Sequence, residues 1–282
     1  MRIQLALPVS FFISILLVGM TWAQTNSRLI DISRNNCARI KAASINSTGT
    51  GFFLDATHVI TCFHVIAAIQ VIDASKGQVQ WTISNNISVK LNDGETIDAT
   101  CVSIPTQEDP SPLLNDFAIL KLAKKPKSAP SGLSIYKGKE SPDVGSDIVF
   151  SGFPLGAPAM ITHKGYISGV TDDKSIICIQ APINKGNSGG AVLNLKGEIL
   201  GIISNREGGI SQGLEDVTKQ ITDLEEGRSG VKVRISMGGV NTFGVTKELI
   251  TTLDKYISTG IGYARSVKAL QSYIEKNPDS LK

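Results

Sequence analysis

Ser188 stands in the run Ala181-Pro-Ile-Asn-Lys-Gly-Asn-Ser-Gly-Gly190, a hydroxyl flanked by glycines. A serine hydroxyl is a weak nucleophile near neutral pH. It attacks a carbonyl carbon when a base takes its proton and backbone N–H groups hold the resulting oxyanion. Glycine lets the backbone turn tightly enough to aim such N–H groups. The chain has 3 histidines, His58, His64 and His163, and all of them precede Ser188. Asp116, in Leu114-Asn-Asp-Phe-Ala-Ile-Leu120, is an acid at the head of an apolar strand, where a charge is costly to bury without a partner. The order His, Asp, Ser allows the acid to orient the histidine and the histidine to deprotonate the serine.

Two other arrangements fit less well. Gly186-Asn-Ser-Gly-Gly190 also matches the nucleophile elbow of α/β-hydrolases, but that fold needs a histidine after the serine, and none follows. A subtilisin-like site needs Asp before His on an α/β pattern, and this chain is rich in strands. Taken singly, each histidine reads as readily as a structural residue. His58 begins a strand, His163 lies mid-strand in Ile161-Thr-His-Lys-Gly165, and His64 lies where a strand runs into a short helix in Ile60-Thr-Cys-Phe-His-Val-Ile66.

The elements that must position these groups are mostly strands. Ala38–Ser44, Gly51–Leu54, His58–Thr61, Ile87–Leu91, Thr96–Ser103 and Asp116–Leu122 alternate or run apolar, and Asn92-Asp-Gly-Glu95 is a hairpin turn. A polar, proline-bearing linker follows over Lys124–Gly132. Strands resume over Asp147–Phe150, Ile161–Val170, Ser175–Gln180, Ala191–Leu195 and Glu198–Ile203. Short strands at this spacing fit a barrel or sandwich. His64 and Asp116 fall in the first β-rich half and Ser188 in the second, so a cleft between two barrels would unite them. Beyond Asn205, Ile210, Leu214, Val217, Ile221 and Leu224 form one apolar helical stripe ended by Gly227. Val231–Ile235 reads as a strand, and Thr246–Ile257 and Ser266–Lys276 read as helices.

Composition bounds the partners. The first 23 residues read as a secretory signal: Arg2, an apolar Leu5–Met20, and a small-residue cleavage site at Thr21-Trp-Ala23. The remainder is expected to be secreted or periplasmic, with no stable membrane insertion after signal removal. A net charge of +3 with scattered basic residues implies no nucleic-acid partner. The 4 cysteines, Cys37, Cys62, Cys101 and Cys178, could form disulfides in an oxidising compartment or pack as buried thiols. None has C-x-x-C spacing, so neither a metal site nor a cofactor is expected.

Together, Thr48-Gly-Thr-Gly-Phe-Phe53, Ile60-Thr-Cys-Phe-His-Val65, Asn115-Asp-Phe-Ala-Ile-Leu-Lys121, Gly152-Phe-Pro-Leu-Gly156 and Ile183-Asn-Lys-Gly-Asn-Ser-Gly-Gly190 resemble, in this order, the chymotrypsin-like serine peptidases, and within them the HtrA/Deg branch. The resemblance implies an all-β fold of two six-stranded antiparallel barrels, with an inserted amphipathic helix and C-terminal helices. After the signal (1–23), the peptidase domain would occupy 24–282: barrel 1 over about 36–123, barrel 2 over about 132–245, and a helical tail over about 246–282. It implies Ser188 as nucleophile, His64 as general base and Asp116 as its orienting acid, with the N–H groups of Gly186 and Ser188 as oxyanion hole. Protein or peptide substrates, and a role in protein quality control or secreted proteolysis, follow from the same resemblance. The branch's PDZ domain has no counterpart in the helix, strand and helix read after Asn205. The rival reading is a catalytically silent or latent peptidase-fold protein that binds or chaperones.

Departures from the pattern carry information. Phe63 stands beside His64 where the family has a smaller residue, so local packing must differ. Lys185 replaces a usual proline and could rim the cleft. Asn187 stands where trypsin-like zymogens carry an aspartate that captures a new N-terminal amine. An amide cannot pair with that charge, so no trypsinogen-type activation is expected. Pro182 lies where trypsin-like enzymes place the acid that selects basic side chains at P1, the residue before the scissile bond. A small or medium uncharged P1 is therefore expected, lined by Pro182, Lys185, Ser204 and Arg206; Lys185 and Arg206 leave an acidic P1 as the second choice.

Overall fold

The computed structural model describes residues 27–282 apart from 74–77, 129, 139–140, 155–156, 207–208, 229, 231, 238 and 257–259. The signal expected over 1–23 lies outside the described residues.

A helix, α1, covers 27–35. There follow β1 (Cys37–Ala42), β2 (Ser47–Phe53), β3 (His58–Thr61), a single helical turn α2 (Phe63–Ile66), a projecting hairpin of β4 (Ala67–Asp73) and β5 (Gln78–Ile83), β6 (Ile87–Lys90), β7 (Thr96–Cys101), another single turn α3 (Ser111–Leu114) and β8 (Ala118–Leu122). Six of these strands close an antiparallel barrel in the order β1-β2-β3-β8-β7-β6. Alternation explains the inside and outside of its wall. In β7, Ile97 and Ala99 are buried, while Thr96, Asp98 and Thr100 face solvent. The linker is tied back to the β6–β7 turn: Lys124 pairs with Glu95 at 2.9 Å, and Ser128 Oγ donates to Asp93 at 2.6 Å.

The second barrel uses β9 (Asp147–Gly152), β10 (Ile161–Val170), β11 (Ile176–Gln180), β12 (Ala191–Leu193) and β13 (Ile199–Arg206). The chain then leaves it through α4 (Gly209–Glu226), a short hairpin of β14 (Ser236–Met237) and β15 (Val240–Asn241), and α5 (Thr242–Tyr256). It returns as β16 (Ile261–Ser266) and ends in α6 (Lys268–Lys276). The closed order is β10-β11-β16-β13-β12-β9. The fold is therefore two closed six-stranded antiparallel barrels with inserted and C-terminal helices.

The structure differs from the sequence reading at the end of barrel 2. Its sixth strand lies at Ile261–Ser266, beyond the boundary near 245, within the stretch read as helical tail. Its buried positions are Gly262 and Ala264, which carry almost no hydrophobic signal, and its partners β11 and β13 are distant in sequence. No strand forms over 232–235, and residue 231 is outside the described set; there Val233 N–H bonds the Leu224 carbonyl at 2.9 Å, running the chain back along α4. The apolar stripe over 210–224 does form a helix, and α4 packs against α5, with Lys247 paired to Glu225.

The terminal helices cross between barrels. Helix α1, which leads into barrel 1, holds barrel 2: Ser33 Oγ lies 2.8 Å from Ser151 Oγ, and the Arg34 guanidinium donates to Thr162 Oγ1 at 3.1 Å and to the Met160 carbonyl at 3.3 Å. Helix α6, which leaves barrel 2, holds barrel 1: Tyr273 meets Phe117 edge-on at 5.4 Å, and Leu270 joins the core shared with Ile119 and Leu120. All four cysteines are free thiols, Cys37 and Cys62 fully buried.

Candidate active site

His64 is the one exposed residue of α2, whose other residues Phe63, Val65 and Ile66 are buried and fix the turn against barrel 1. Phe63 reaches its packing partner in the projecting hairpin, meeting Trp81 edge-on at 5.7 Å. That contact accounts for the large residue beside the histidine. His64 Nδ1 lies 2.8 Å from Asp116 Oδ2 and 3.0 Å from Oδ1, and its backbone N–H donates to Oδ1 at 3.1 Å. The ring is 41% exposed and the carboxylate 14%.

Asp116 follows α3 with φ +50°, a left-handed conformation that non-glycine residues seldom take. Strain of this kind collects at functional sites. Here it directs the carboxylate at His64. Burial alone would lower the pKa of His64, but the hydrogen bond and charge of Asp116 outweigh it and raise the pKa above its usual 6.5. Burial alone would raise the pKa of Asp116, but the bonds from His64 and Ser204 and the His64 charge hold it below 3.8.

Two successive turns shape the nucleophile loop. Asn187 N–H bonds the Asn184 carbonyl at 3.0 Å, and Gly190 N–H bonds the Asn187 carbonyl at 3.0 Å. The third residue of each turn is Gly186 (φ +96°) or Gly189 (φ +91°), the position of a type II turn that needs φ above zero. Ser188 is thereby lifted onto the second turn. Among the described residues, the N–H groups of Gly186 and Ser188 have no acceptor, as an oxyanion hole requires.

Thr50 of β2 holds this loop, a role the sequence reading did not assign. Its N–H bonds the Ser188 carbonyl at 2.8 Å, its Oγ1 donates to the Gly186 carbonyl at 2.6 Å, and the same Oγ1 accepts from Phe153 N–H at 3.0 Å. The Gly-Thr-Gly pattern around it was the available signal. Thr50→Val would leave both partners of Oγ1 unpaired, the Gly186 carbonyl buried and the Phe153 N–H part-buried. We expect a loss of about 2–4 kcal/mol in thermal or denaturant unfolding, about 1–3 kcal/mol for the buried carbonyl and about 1 kcal/mol for the half-wet N–H; Thr50→Ser should recover most of it.

Ser204, expected to line the substrate site, does line the cleft, and its side chain also reaches the acid: Ser204 Oγ donates to Asp116 Oδ2 at 2.5 Å. Its carbonyl accepts from Ser188 Oγ at 3.1 Å, so in this structure the Ser188 hydroxyl points to Ser204 and makes no hydrogen bond to His64. His64, Asp116, Lys185, Gly186, Ser188 and Ser204 line one open cleft at the seam of the barrels. Pro182 is exposed and is not among its lining residues. The Arg206 backbone pairs with Gly262, and its side chain lies outside the description. His58 is bound to Asp55 at 2.8 Å and His163 stacks on Phe150 at 4.8 Å; neither lines the cleft. Cys62, His64 and Asp116 bring metal-ligating atoms together, but the histidine and aspartate are engaged with each other. Burial pushes the Cys62 thiol well above its ordinary range, and it donates to the Ile203 carbonyl.

Two closed antiparallel barrels with a cleft at their seam define the fold of the trypsin-like peptidases. The chain belongs to that family: the model of the trypsin-like peptidase domain matches residues 49–202. Its relatives are serine proteases of the HtrA/DegP type. It is similar to the putative protease Do-like 14 of Arabidopsis thaliana, with 28% identity over 74% of this chain and 51% of the relative. It is also similar to the periplasmic serine endoprotease DegP of Escherichia coli strain K12, with 32% identity over 50% of this chain and 30% of the relative. The chain thus spans about half or less of the length of these curated relatives. Among solved structures, it resembles the serine endoprotease from Yersinia pestis, with a TM-score of 0.53, 19% identity, and coverage of 89% of this chain and 65% of that one.

Proposed function

We propose that the chain is a serine endopeptidase that cleaves protein or peptide substrates outside the cytoplasm through an acyl-enzyme. The observation that carries this reading is the linked series Ser204, Asp116 and His64 beside Ser188 in one cleft. Relatives whose names call them periplasmic endoproteases support the location and proteolysis there; a role in protein quality control rests on the family resemblance alone.

The peptide carbonyl would lie against the N–H groups of Gly186 and Ser188. The Ser188 hydroxyl turns from the Ser204 carbonyl to His64 Nε2, and Oγ attacks the carbonyl carbon as its proton passes to Nε2. Asp116 holds Nδ1–H and balances the charged imidazole. Collapse of the tetrahedral intermediate expels the amine, which takes the proton from Nε2. Water then attacks the ester with His64 again as base. Because the pKa of His64 is raised, the neutral base is lost as pH falls through a value above 6.5.

At P1, a small or medium uncharged side chain is expected, because Pro182 puts no acid where trypsin-like enzymes select a basic one. Asn187 is fully buried and neither side-chain polar atom has a partner, an arrangement without the ion pair of a trypsinogen-type switch.

A latent protein is the second reading, favoured by the hydrogen bond of Ser188 Oγ to Ser204 in place of His64. Labelling the mature protein with a fluorophosphonate beside its Ser188→Ala variant separates the two. The enzyme labels and the variant does not. Labelling that survives the substitution would remove Ser188 as nucleophile, and no labelling of either would favour latency.

A further inference from the structure

We propose that Arg265 makes this cleft selective for peptides carrying an acidic side chain close to the scissile bond. This rests on the endopeptidase reading above. Arg265 lies on β16, paired with Ile176 on β11 and Ile202 on β13. Its neighbour Ala264 is wholly buried inside barrel 2, so alternation turns Arg265 outward, and it joins Ser188, His64 and Ser204 in lining the cleft. A guanidinium half-withdrawn from water ordinarily takes a carboxylate partner. Among the described residues, no carboxylate stands within ion-pair distance of Arg265.

Among the described residues, Asp116 is the only acid lining the cleft, and its oxygens already accept from the ring and backbone of His64 and from Ser204. Lys185 adds a second positive charge at the exposed rim. Among the described residues, Arg265 is therefore a bidentate donor at the cleft with no acid to receive it. A bound peptide can supply that acid: an aspartate or glutamate flanking the cleaved bond would pair with Arg265 while P1 stays uncharged. Arg265 is in this sense a specificity residue, outside the groups that move the proton. Nothing in the nucleophile motif signals it, because β16 was read as part of a helical tail.

The test is a peptide library randomised on both sides of a fixed small P1, cleaved by the wild type, Arg265→Gln and Arg265→Lys. The wild type should favour Asp or Glu over Asn or Gln at one flanking position by about tenfold or more, roughly the worth of one well-placed charge pair. Arg265→Gln should lose that preference while cleaving the best uncharged peptide within about twofold of wild type, and Arg265→Lys should keep part of it. An active enzyme with no acidic preference, or one whose preference survives Arg265→Gln, overturns the proposal. An equal fall on all peptides with a displaced acid limb of the pH profile also overturns it, because Arg265 would then be acting on the His64–Asp116 pair. Failure of fluorophosphonate labelling in the wild type would instead overturn the endopeptidase reading on which it rests.

Discussion

Ser188→Ala is expected to abolish turnover, lowering kcat by about ten-thousand-fold or more on any peptide the wild type cleaves. Alanine removes the hydroxyl that the loop lifts into the cleft lined by His64, beside two N–H groups without an acceptor among the described residues. It also removes the hydrogen bond to the Ser204 carbonyl, which is already at a cleft open to water, so folding stability should change by less than about 1 kcal/mol. The separation between a very large kinetic effect and a small thermal one is the signature to seek in paired turnover and melting measurements. A variant that retains more than about a hundredth of the wild-type rate would show that another group performs the attack.

Asp116→Asn should cost about as much, on the order of ten-thousand-fold in turnover, for a different reason. The carboxylate accepts from His64 Nδ1–H, His64 N–H and Ser204 Oγ. An amide has one acceptor oxygen, and its NH2 group must meet one of these donors unless the imidazole moves its proton to Nε2. That tautomer leaves no base facing Ser188. The variant also loses the influence that raises the pKa of His64, so its acid limb should move to lower pH.

Stability follows the same linkage. The depressed pKa of Asp116 contributes stability present above about pH 3.8 and lost as pH falls through its folded value. The raised pKa of His64 contributes stability present below about pH 6.5 and lost as pH rises through its folded value. Both slopes should flatten in Asp116→Asn. Unfolding midpoints measured from pH 3 to 9 check the sign, and an unchanged profile would mean that the pair is not coupled.

The local features of this fold were legible because they repeat or turn in short windows. β3 and the turn carrying His64 follow from Ile60–Ile66, and the β6–β7 hairpin follows from Asn92–Glu95. β16 was not legible: Gly262 and Ala264 bury no large side chain, and the strand exists because β11 and β13 offer it two edges. The projecting β4–β5 hairpin was not assigned either, although Gln78-Val-Gln-Trp-Thr-Ile83 alternates, with Trp81 paired to Ile69 and Ile83 to Ala67. In the site, the serine, histidine and aspartate were marked by their flanking patterns. Thr50 and Ser204 were not given their supporting roles, because a hydroxyl that holds a loop or a carboxylate looks in sequence like any other threonine or serine. Their work is visible only as distances across the seam.

The crossing of the terminal helices has a mechanical consequence. Each barrel is latched by a segment covalently continuous with the other: α1 carries barrel 1 onto Ser151 and Thr162, and α6 carries barrel 2 onto Phe117, next in chain to Asp116. Neither barrel can swing away unless one latch first peels from its foreign surface. Opening the seam and losing a terminal helix are thus one event, and the barrels should melt as a single cooperative unit. The alignment of His64 and Asp116 on one side with Ser188 on the other is kept by the chain holding its own two ends in opposite hands.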